Sequence, residues 1–182
     1  MKFYTYTGKM IELTSPDKDA IDSRDIAHAL SQLCRAAGHF KHFYSVGQHS
    51  INCMREAMAR GFSKRVCMAC LLHDASEAYL CDIPSPLKAD LGDYKKIEAK
   101  FEDAVWKRYG LYPLSDDEKY LVKLIDEAVL WYEFKMIHTI PIEFNKTPNL
   151  ASVPMVDFCD MKSVEEMFFK QLANFEKMKK TA

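Results

Sequence analysis

Four ionisable side chains follow an apolar stretch near the middle of the chain, and their types suit metal and proton chemistry. The stretch 66–72 contains only valine, cysteine, methionine, alanine and leucine; His73 and Asp74 follow directly, then Glu77 and Asp82. Charge at the end of a buried segment is costly unless it is compensated, and a bound cation compensates it. On a helix His73 and Asp74 are about 100° apart, and Glu77 lies one turn after His73. The pattern therefore allows two metal ligands and a third group that faces the ion.

Two residues far from this doublet in sequence are candidate ligands for the same ion. Asp126 interrupts the apolar run 124–130, where a carboxylate is expensive unless it is paired or bound to a metal. His49 lies one turn into the helix that is predicted to begin after Ser45. Taken alone, His49 is also compatible with a hydrogen-bonded core histidine and Asp126 with a solvated carboxylate. The doublet alone is also compatible with the start of the polar face of an amphipathic helix. Their combination with the doublet favours a site.

The elements that must position these residues are predicted to be helices. Apolar residues recur at helical spacing along most of the chain, and capping residues precede several of the periodic segments. We predict helices that start at Asp22 or Ser23, run from Ser45 to about Arg60, from Ser63 through the doublet to about Leu80, from about Asp93 to Tyr109, from Ser115 through Tyr132, and from Ser163. The predicted fold class is therefore all-α.

Three segments depart from this helical pattern. Two β-prone runs, 3–6 and 10–13, flank a glycine turn and predict a short N-terminal β-hairpin. The prolines of the stretch 82–88 exclude a continued helix and predict a rigid loop. Residues 139–158 lack periodicity, which is typical of a flap or an inter-subunit contact.

Bulk properties restrict the class of function. The 182 residues suit a single domain, which we assign to 1–182, with a core at about 20–135 and a C-terminal extension at about 139–182. Lysine and arginine number 25 against 26 acidic residues, so no basic surface favours extended nucleic acid or a membrane. The start of the chain lacks a signal-peptide pattern, which favours a cytoplasmic protein. The six cysteines, including the pair Cys67 and Cys70, are interpreted as reduced structural side chains.

The order His49, His73-Asp74, Asp126 resembles that of the HD-domain metal-dependent phosphohydrolases, compact all-helical proteins with ligands in the order H…HD…D. The sequence HDASEAYLCDIPSPLK after the apolar stretch is similar to that of the bacterial 5'-deoxynucleotidases. Upstream, the segments DIAHAL, CR and FYSVGQHS are similar to a compact branch that includes phage dATP triphosphohydrolases. The resemblance covers about residues 20–135.

The resemblance implies roles for eight residues. One divalent ion, Mn²⁺, Co²⁺, Fe²⁺ or Zn²⁺, would be held by His49, His73, Asp74 and Asp126. Glu77 and Asp82 are the candidate catalytic residues, which would share water activation and proton transfer in an order that is left open. Arg35 and Lys88 would bind the substrate phosphate.

The function implied by the resemblance is hydrolysis of phosphate from deoxynucleotides. A 5'-deoxynucleotidase acting on deoxynucleoside monophosphates is the leading expectation, with a dATP-type triphosphohydrolase as the alternative. A non-catalytic nucleotide-binding HD module is a third hypothesis. Such modules usually lack one of the metal-ligating residues or the equivalent of Glu77, and this chain has all of them. A cyclic-dinucleotide phosphodiesterase would have more histidines after the doublet, where only His138 is found. The expected partner is a small-molecule nucleotide, and homo-oligomerisation is left open.

Overall fold

The N-terminus forms the predicted hairpin in the computed structural model, which describes residues 2–140, 142 and 149–179. Strands β1 (Lys2–Tyr4) and β2 (Met10–Glu12) are antiparallel, and Phe3 pairs with Ile11. Gly8 has a φ of 80° in the turn, a conformation that glycine adopts at little steric cost. The rest of the described chain is helical or irregular. The all-α class with a short hairpin is therefore confirmed.

The helices begin close to the residues that the capping patterns indicate. Their bounds are α1 Ser23–Gln32, α2 Val46–Ala59, α3 Lys64–Leu72, α4 Glu77–Leu80, α5 Ser85–Asp90, α6 Gly92–Tyr109, α7 Asp116–Ile137 and α8 Met161–Lys179. Asp22, Ser45 and Ser63 each accept a hydrogen bond from a backbone N–H of the first turn of α1, α2 and α3. Ser115 and Glu118 form the reciprocal capping box at the start of α7.

The helix that carries the doublet is interrupted, contrary to the prediction of one helix to about Leu80. Helix α3 ends at Leu72, a turn spans 73–76, and α4 begins at Glu77. Within the turn, backbone N–H groups bond carbonyls three residues earlier, as in Ala75 N to Leu72 O. This spacing is that of a 3₁₀ turn. The doublet therefore lies at a break between two helices.

Two other predictions about helix bounds were wrong. The proline segment contains the short helix α5, because Pro86 falls in its first turn, where a missing N–H costs nothing. The last helix begins at Met161 and not at Ser163. The Asp160 carboxylate accepts hydrogen bonds from the backbone N and the Oγ of Ser163, at 3.0 and 2.6 Å, which makes Asp160 the capping residue.

Helix α2 lies at the centre of the fold and packs against α1, α3, α7 and α8. Most of its side chains are buried, including Ile51 and Met54. Gly47 allows α1 to approach closely, since a Cβ atom there would lie 3.1 Å from the carbonyl of Leu30. A helix buried on several faces can present polar side chains to the interior from more than one direction.

The described part of the C-terminal extension includes an irregular segment, 149–157, that lies along α2. Gln48 Nε2 donates to the carbonyls of Met155 and Asp157, at 3.0 and 2.9 Å. Asn52 exchanges two hydrogen bonds with the backbone of Met155, and Glu56 accepts from the backbone N–H groups of 151–152. Much of the predicted flap region, residues 141 and 143–148, lies outside the described residues.

The described helices include none whose length and apolar content would let it cross a bilayer.

Candidate metal centre

Three helices bring predicted ligands together in the interior. His49 comes from α2, His73 from the end of α3, and Asp126 from the middle of α7. Nε2 of His49 lies 3.0 Å from Oδ1 of Asp126, and Nε2 of His73 lies 3.6 Å from the same oxygen. Donor atoms of these three residues and of Cys53 all lie within 4.8 Å of one another. The spacing is that of a candidate metal site.

Asp74, the fourth predicted ligand, borders this group without belonging to it. Its Oδ2 atom lies 3.3 Å from Nε2 of His73 and 3.1 Å from a terminal nitrogen of Arg35. Burial opposes the charge of Asp74, but His73 and Arg35 outweigh that effect and lower the pKa of the carboxyl group. Asp74 is therefore ionised and is shared between the histidine and the guanidinium.

The ring of His49 is oriented by Glu133, a buried residue for which the sequence predicted no role. Nδ1 of His49 donates to Oε1 of Glu133 at 2.8 Å, and the Tyr44 hydroxyl donates to the same oxygen at 2.5 Å. The side chain of Glu133 has no exposed surface. With Nδ1 bound to a carboxylate, Nε2 is the nitrogen available to a metal. One signal was present in the sequence: Glu133 follows Asp126 by seven residues, two turns on the same face of a helix.

The ring of His73 is oriented by the backbone. Nδ1 of His73 donates to the carbonyl of Cys70 at 2.8 Å, at the end of α3. Nε2 is buried, and among the described residues no group makes a hydrogen bond of suitable geometry to it. A buried imidazole nitrogen without a hydrogen bond, with carboxylate oxygens close by, has the environment of a metal ligand.

Arg35 supplies positive charge to these carboxylates. Its guanidinium contacts Asp74 at 3.1 Å, Asp126 at 3.5 Å and Glu133 at 3.5 Å, and its side chain is only 11% exposed. Burial opposes the charge, but the three carboxylates outweigh it and raise the pKa of Arg35. The next residues, Ala36 and Ala37, have φ values of 53° and 49°, a left-handed conformation that costs energy for alanine. Arg35 therefore stands at the start of a strained turn.

The two candidate catalytic carboxylates lie in different surroundings. Glu77 is 5% exposed, and burial together with Asp74 and Asp82 raises its pKa to about 9, against the opposing effect of Lys88. Its Oε2 atom is buried and makes no hydrogen bond within the described part of the chain. Asp82 is half-buried, and burial is the main cause of its raised pKa. Both carboxyl groups therefore retain a proton to higher pH than an exposed carboxyl group does.

Lys88, predicted to bind phosphate, contacts two glutamates. Its Nζ donates to Oε1 of Glu77 at 3.0 Å and to Oε1 of Glu98, from α6, at 2.7 Å. Glu98 was not identified from the sequence. The structure therefore brings Lys88 to Glu77 and Arg35 to Asp74 and Asp126, so both predicted phosphate-binding cations are paired with the carboxylates of the candidate site.

The chain is similar to two bacterial proteins that are described as uncharacterized. YfdR of Escherichia coli K12 is 44% identical over 110 residues, which are 60% of this chain and 59% of that protein. A protein of Rhodobacter capsulatus is 36% identical over 111 residues, 58% of this chain and 56% of that protein. The chain thus matches less than two thirds of the length of either relative. No protein-family model matches it.

Proposed function

We propose that this chain is a divalent-metal-dependent phosphohydrolase of the HD-domain type that acts on deoxynucleotides. One observation carries the proposal: His49, His73 and Asp126 converge from three helices, with Asp74 beside them, and these are the residues that stand in the H…HD…D order. Buried polar groups at such distances are expensive unless they share a partner. A divalent cation is the partner that two imidazoles and two carboxylates favour.

The donor set fits such an ion. Both histidines have Nδ1 bound to an acceptor, so each turns Nε2 toward the other donors, where Nε2 of His49 contacts Asp126 and Nε2 of His73 has no hydrogen bond to the described residues. Mixed imidazole and carboxylate ligands suit Mn²⁺, Co²⁺, Fe²⁺ and Zn²⁺. When bound, the ion supplies a Lewis acid for a phosphoryl oxygen and a more acidic water at neutral pH.

The residues around the donors would bind the phosphate and move protons. The Arg35 guanidinium has five N–H groups and makes only two hydrogen bonds to described residues, so donors remain for phosphate oxygens. Lys88 would exchange one of its glutamate contacts for a phosphate. Glu77, with one oxygen unpartnered in the described structure, and Asp82 are the candidates for proton transfer to and from the reacting water and the leaving oxygen.

Deoxynucleoside monophosphates are the substrates that we propose first. The support is the resemblance of the segment from His73 to Lys88 to the 5'-deoxynucleotidases, together with the contact within that segment between Lys88 and Glu77. The triphosphohydrolase reaction remains the alternative within the same class. The two reactions differ in product, since one releases orthophosphate and the other releases inorganic triphosphate.

A non-catalytic nucleotide-binding module is a second candidate, and one observation favours it. Arg35 pairs with two of the proposed ligands and Lys88 pairs with Glu77, so the carboxylates are partly neutralised by the protein itself. In such a module these cations would bind a nucleotide phosphate without hydrolysis. Both candidate functions involve binding of a nucleotide, but only the enzyme would hydrolyse it.

A substrate panel separates these possibilities. Protein loaded in turn with Mn²⁺, Co²⁺, Fe²⁺ or Zn²⁺ is incubated with deoxynucleoside mono-, di- and triphosphates, and the products are separated by chromatography. Asp74→Asn is the test variant, and Asp117→Asn, an exposed position on α7, is the matched control. We expect the unmodified protein to release orthophosphate from deoxynucleoside monophosphates. Asp74→Asn should lose this activity, and Asp117→Asn should keep it. Nucleotide binding without product under every metal would refute the enzyme and favour the module, and inorganic triphosphate would select the alternative reaction.

A further inference from the structure

Cys53, interpreted from the sequence as a structural side chain, belongs to the cluster of donor atoms. It follows His49 by one turn of α2, on the same face of the helix. Its Sγ atom lies 3.4 Å from Nε2 of His49 and 4.0 Å from Nδ1, so it lies nearer the nitrogen that faces Asp126 than the one that Glu133 holds. The sulfur also lies within 4.8 Å of donor atoms of His73 and Asp126.

Three separations in the cluster are close to those between ligands of a single ion. Zinc–nitrogen and zinc–sulfur bonds of about 2.05 and 2.3 Å, at a tetrahedral angle, place nitrogen and sulfur about 3.5 Å apart. The observed separation of His49 Nε2 and Cys53 Sγ is 3.4 Å. For a nitrogen and an oxygen each about 2.05 Å from the ion, the tetrahedral separation is about 3.3 Å. The two separations from Asp126 Oδ1 to the histidine Nε2 atoms, 3.0 and 3.6 Å, fall on either side of that value.

Two further observations point to a ligand at this position. Nε2 of His73 is buried beside the cluster without a hydrogen bond to the described residues. The thiol of Cys53 is buried, and within the described part of the chain its hydrogen-bond contacts are with the two ring nitrogens of His49. Asp74, which would otherwise take the fourth position, is held by Arg35. Sulfur is therefore better placed than the Asp74 carboxylate to complete the set of donors.

We infer that Cys53 is a direct ligand of the metal, so that the site selects a thiophilic divalent ion such as Zn²⁺, Co²⁺ or Fe²⁺ over Mg²⁺ and Mn²⁺. The inference rests on the metal site of the proposed function and adds to His49, His73 and Asp126 a donor that the H…HD…D order does not include, while Asp74 lies beside the site against Arg35. As the metal–sulfur bond forms, the S–H bond breaks and the proton passes to solvent, with no change of oxidation state. Soft thiolate donors favour these ions, whereas oxygen-only shells suit Mg²⁺ and Mn²⁺.

Cobalt spectroscopy tests this inference in the 182-residue chain. Co²⁺ bound to a thiolate gives a sulfur-to-metal charge-transfer band in the near ultraviolet, and Co²⁺ held only by imidazole and carboxylate does not. Metal-free protein is titrated with Co²⁺ and compared with Cys53→Ser, Asp74→Asn and Asp126→Asn. Cys67→Ser is the matched control, because Cys67 is also a buried cysteine but lies outside the donor group. Circular dichroism of each metal-free variant verifies that it is folded.

We expect the band to saturate at one equivalent of Co²⁺ and to persist in Cys67→Ser and Asp74→Asn. In Cys53→Ser it should be absent, with Co²⁺ affinity at least roughly tenfold weaker and Mn²⁺ affinity little changed. Binding of one Co²⁺ that depends on Asp126 but shows no band, or the same band in Cys53→Ser, would overturn the role of Cys53 and leave the proposed metal site standing. Co²⁺ binding that does not depend on Asp126 would overturn the metal site as well.

Discussion

Glu133→Gln is expected to weaken metal binding although Glu133 itself is not a proposed ligand. One oxygen of Glu133 accepts hydrogen bonds from Tyr44 and His49, and the other lies 3.0 Å from Nδ1 of His49 and 3.5 Å from Nε of Arg35. Every one of these neighbours is a donor. Glutamine has the same shape, but its NH₂ group faces donors where the carboxylate accepts, so the ring of His49 loses part of its orientation and basicity.

The expected magnitude follows from this loss. Removing a carboxylate that orients a ligating histidine typically weakens metal affinity 10- to 100-fold, or about 1.4 to 2.7 kcal/mol. Because Glu133 is completely buried and also pairs with Arg35, we expect the upper part of that range. Tyr44→Phe removes one neutral donor and leaves the charge, so its effect should be smaller, about 1 kcal/mol.

Isothermal titration calorimetry with Co²⁺ measures the effect. Glu127→Gln is the matched control, since Glu127 is an exposed glutamate on the same helix, and it should bind Co²⁺ as the unmodified protein does. Circular dichroism and thermal unfolding of the metal-free proteins separate a loss of affinity from a loss of fold. If folded Glu133→Gln binds Co²⁺ within twofold of the unmodified protein, Glu133 does not position His49 for a metal.

Two further predictions concern stability. Burial opposes the charge of Glu56, but hydrogen bonds from the 151–152 segment outweigh burial and lower the pKa of Glu56 in the folded protein. The ionised carboxylate therefore contributes fully to stability above the ordinary pKa of glutamate. This contribution to stability is lost as the pH falls through the lowered pKa of the folded protein. In urea unfolding, Glu56→Gln should therefore destabilise the protein by about 1–3 kcal/mol near neutral pH and by less below about pH 4. A stability difference between the two proteins that does not change with pH would contradict this reasoning. Gly47→Ala should lower stability by about 1–3 kcal/mol, because its Cβ would lie 3.1 Å from the Leu30 carbonyl. Gly92→Ala, with no atom within 4 Å of its Cβ, is the control for thermal unfolding and should not be destabilised.

Local chemistry explains what the sequence predicted well about the fold. Ser45 and Ser115 begin helices because a hydroxyl that accepts from the first turn satisfies a donor that the helix itself cannot. The same reasoning chose Ser163 as the capping residue and was wrong by three residues, because Asp160 offers a charged acceptor earlier in the chain. Local rules locate a helix start well, but they choose poorly between two capping residues that lie within one turn of each other.

The candidate site was only partly accessible from the sequence, because several of its contacts depend on tertiary packing. His49, His73 and Asp126 stand out as costly polar residues within apolar segments, and the structure places them together. Cys53 does not stand out, since a buried cysteine ordinarily acts as a small hydrophobe. Only the packing of α2 against α3 and α7 shows its sulfur among the donors.

The partners of the two predicted phosphate-binding cations could likewise not be predicted from the sequence. Arg35 and Lys88 suit phosphate by residue type, but the type does not reveal that carboxylates from distant helices surround them. Glu98 reaches Lys88 across ten residues of sequence, and Asp126 reaches Arg35 across ninety-one. Contacts over such separations follow from the fold and not from a local pattern.

A paired measurement of bound metal and hydrolysis tests the central claim most directly. Metal-free protein is titrated with Co²⁺, and the rate of orthophosphate release from a deoxynucleoside monophosphate mixture is followed beside the amount of metal bound. We predict that the rate rises in proportion to bound metal, levels off at one equivalent, and disappears together with binding in Asp126→Asn. Hydrolysis that is independent of bound metal, or metal bound at one equivalent with no hydrolysis of any deoxynucleotide, would contradict a metal-dependent phosphohydrolase at this site.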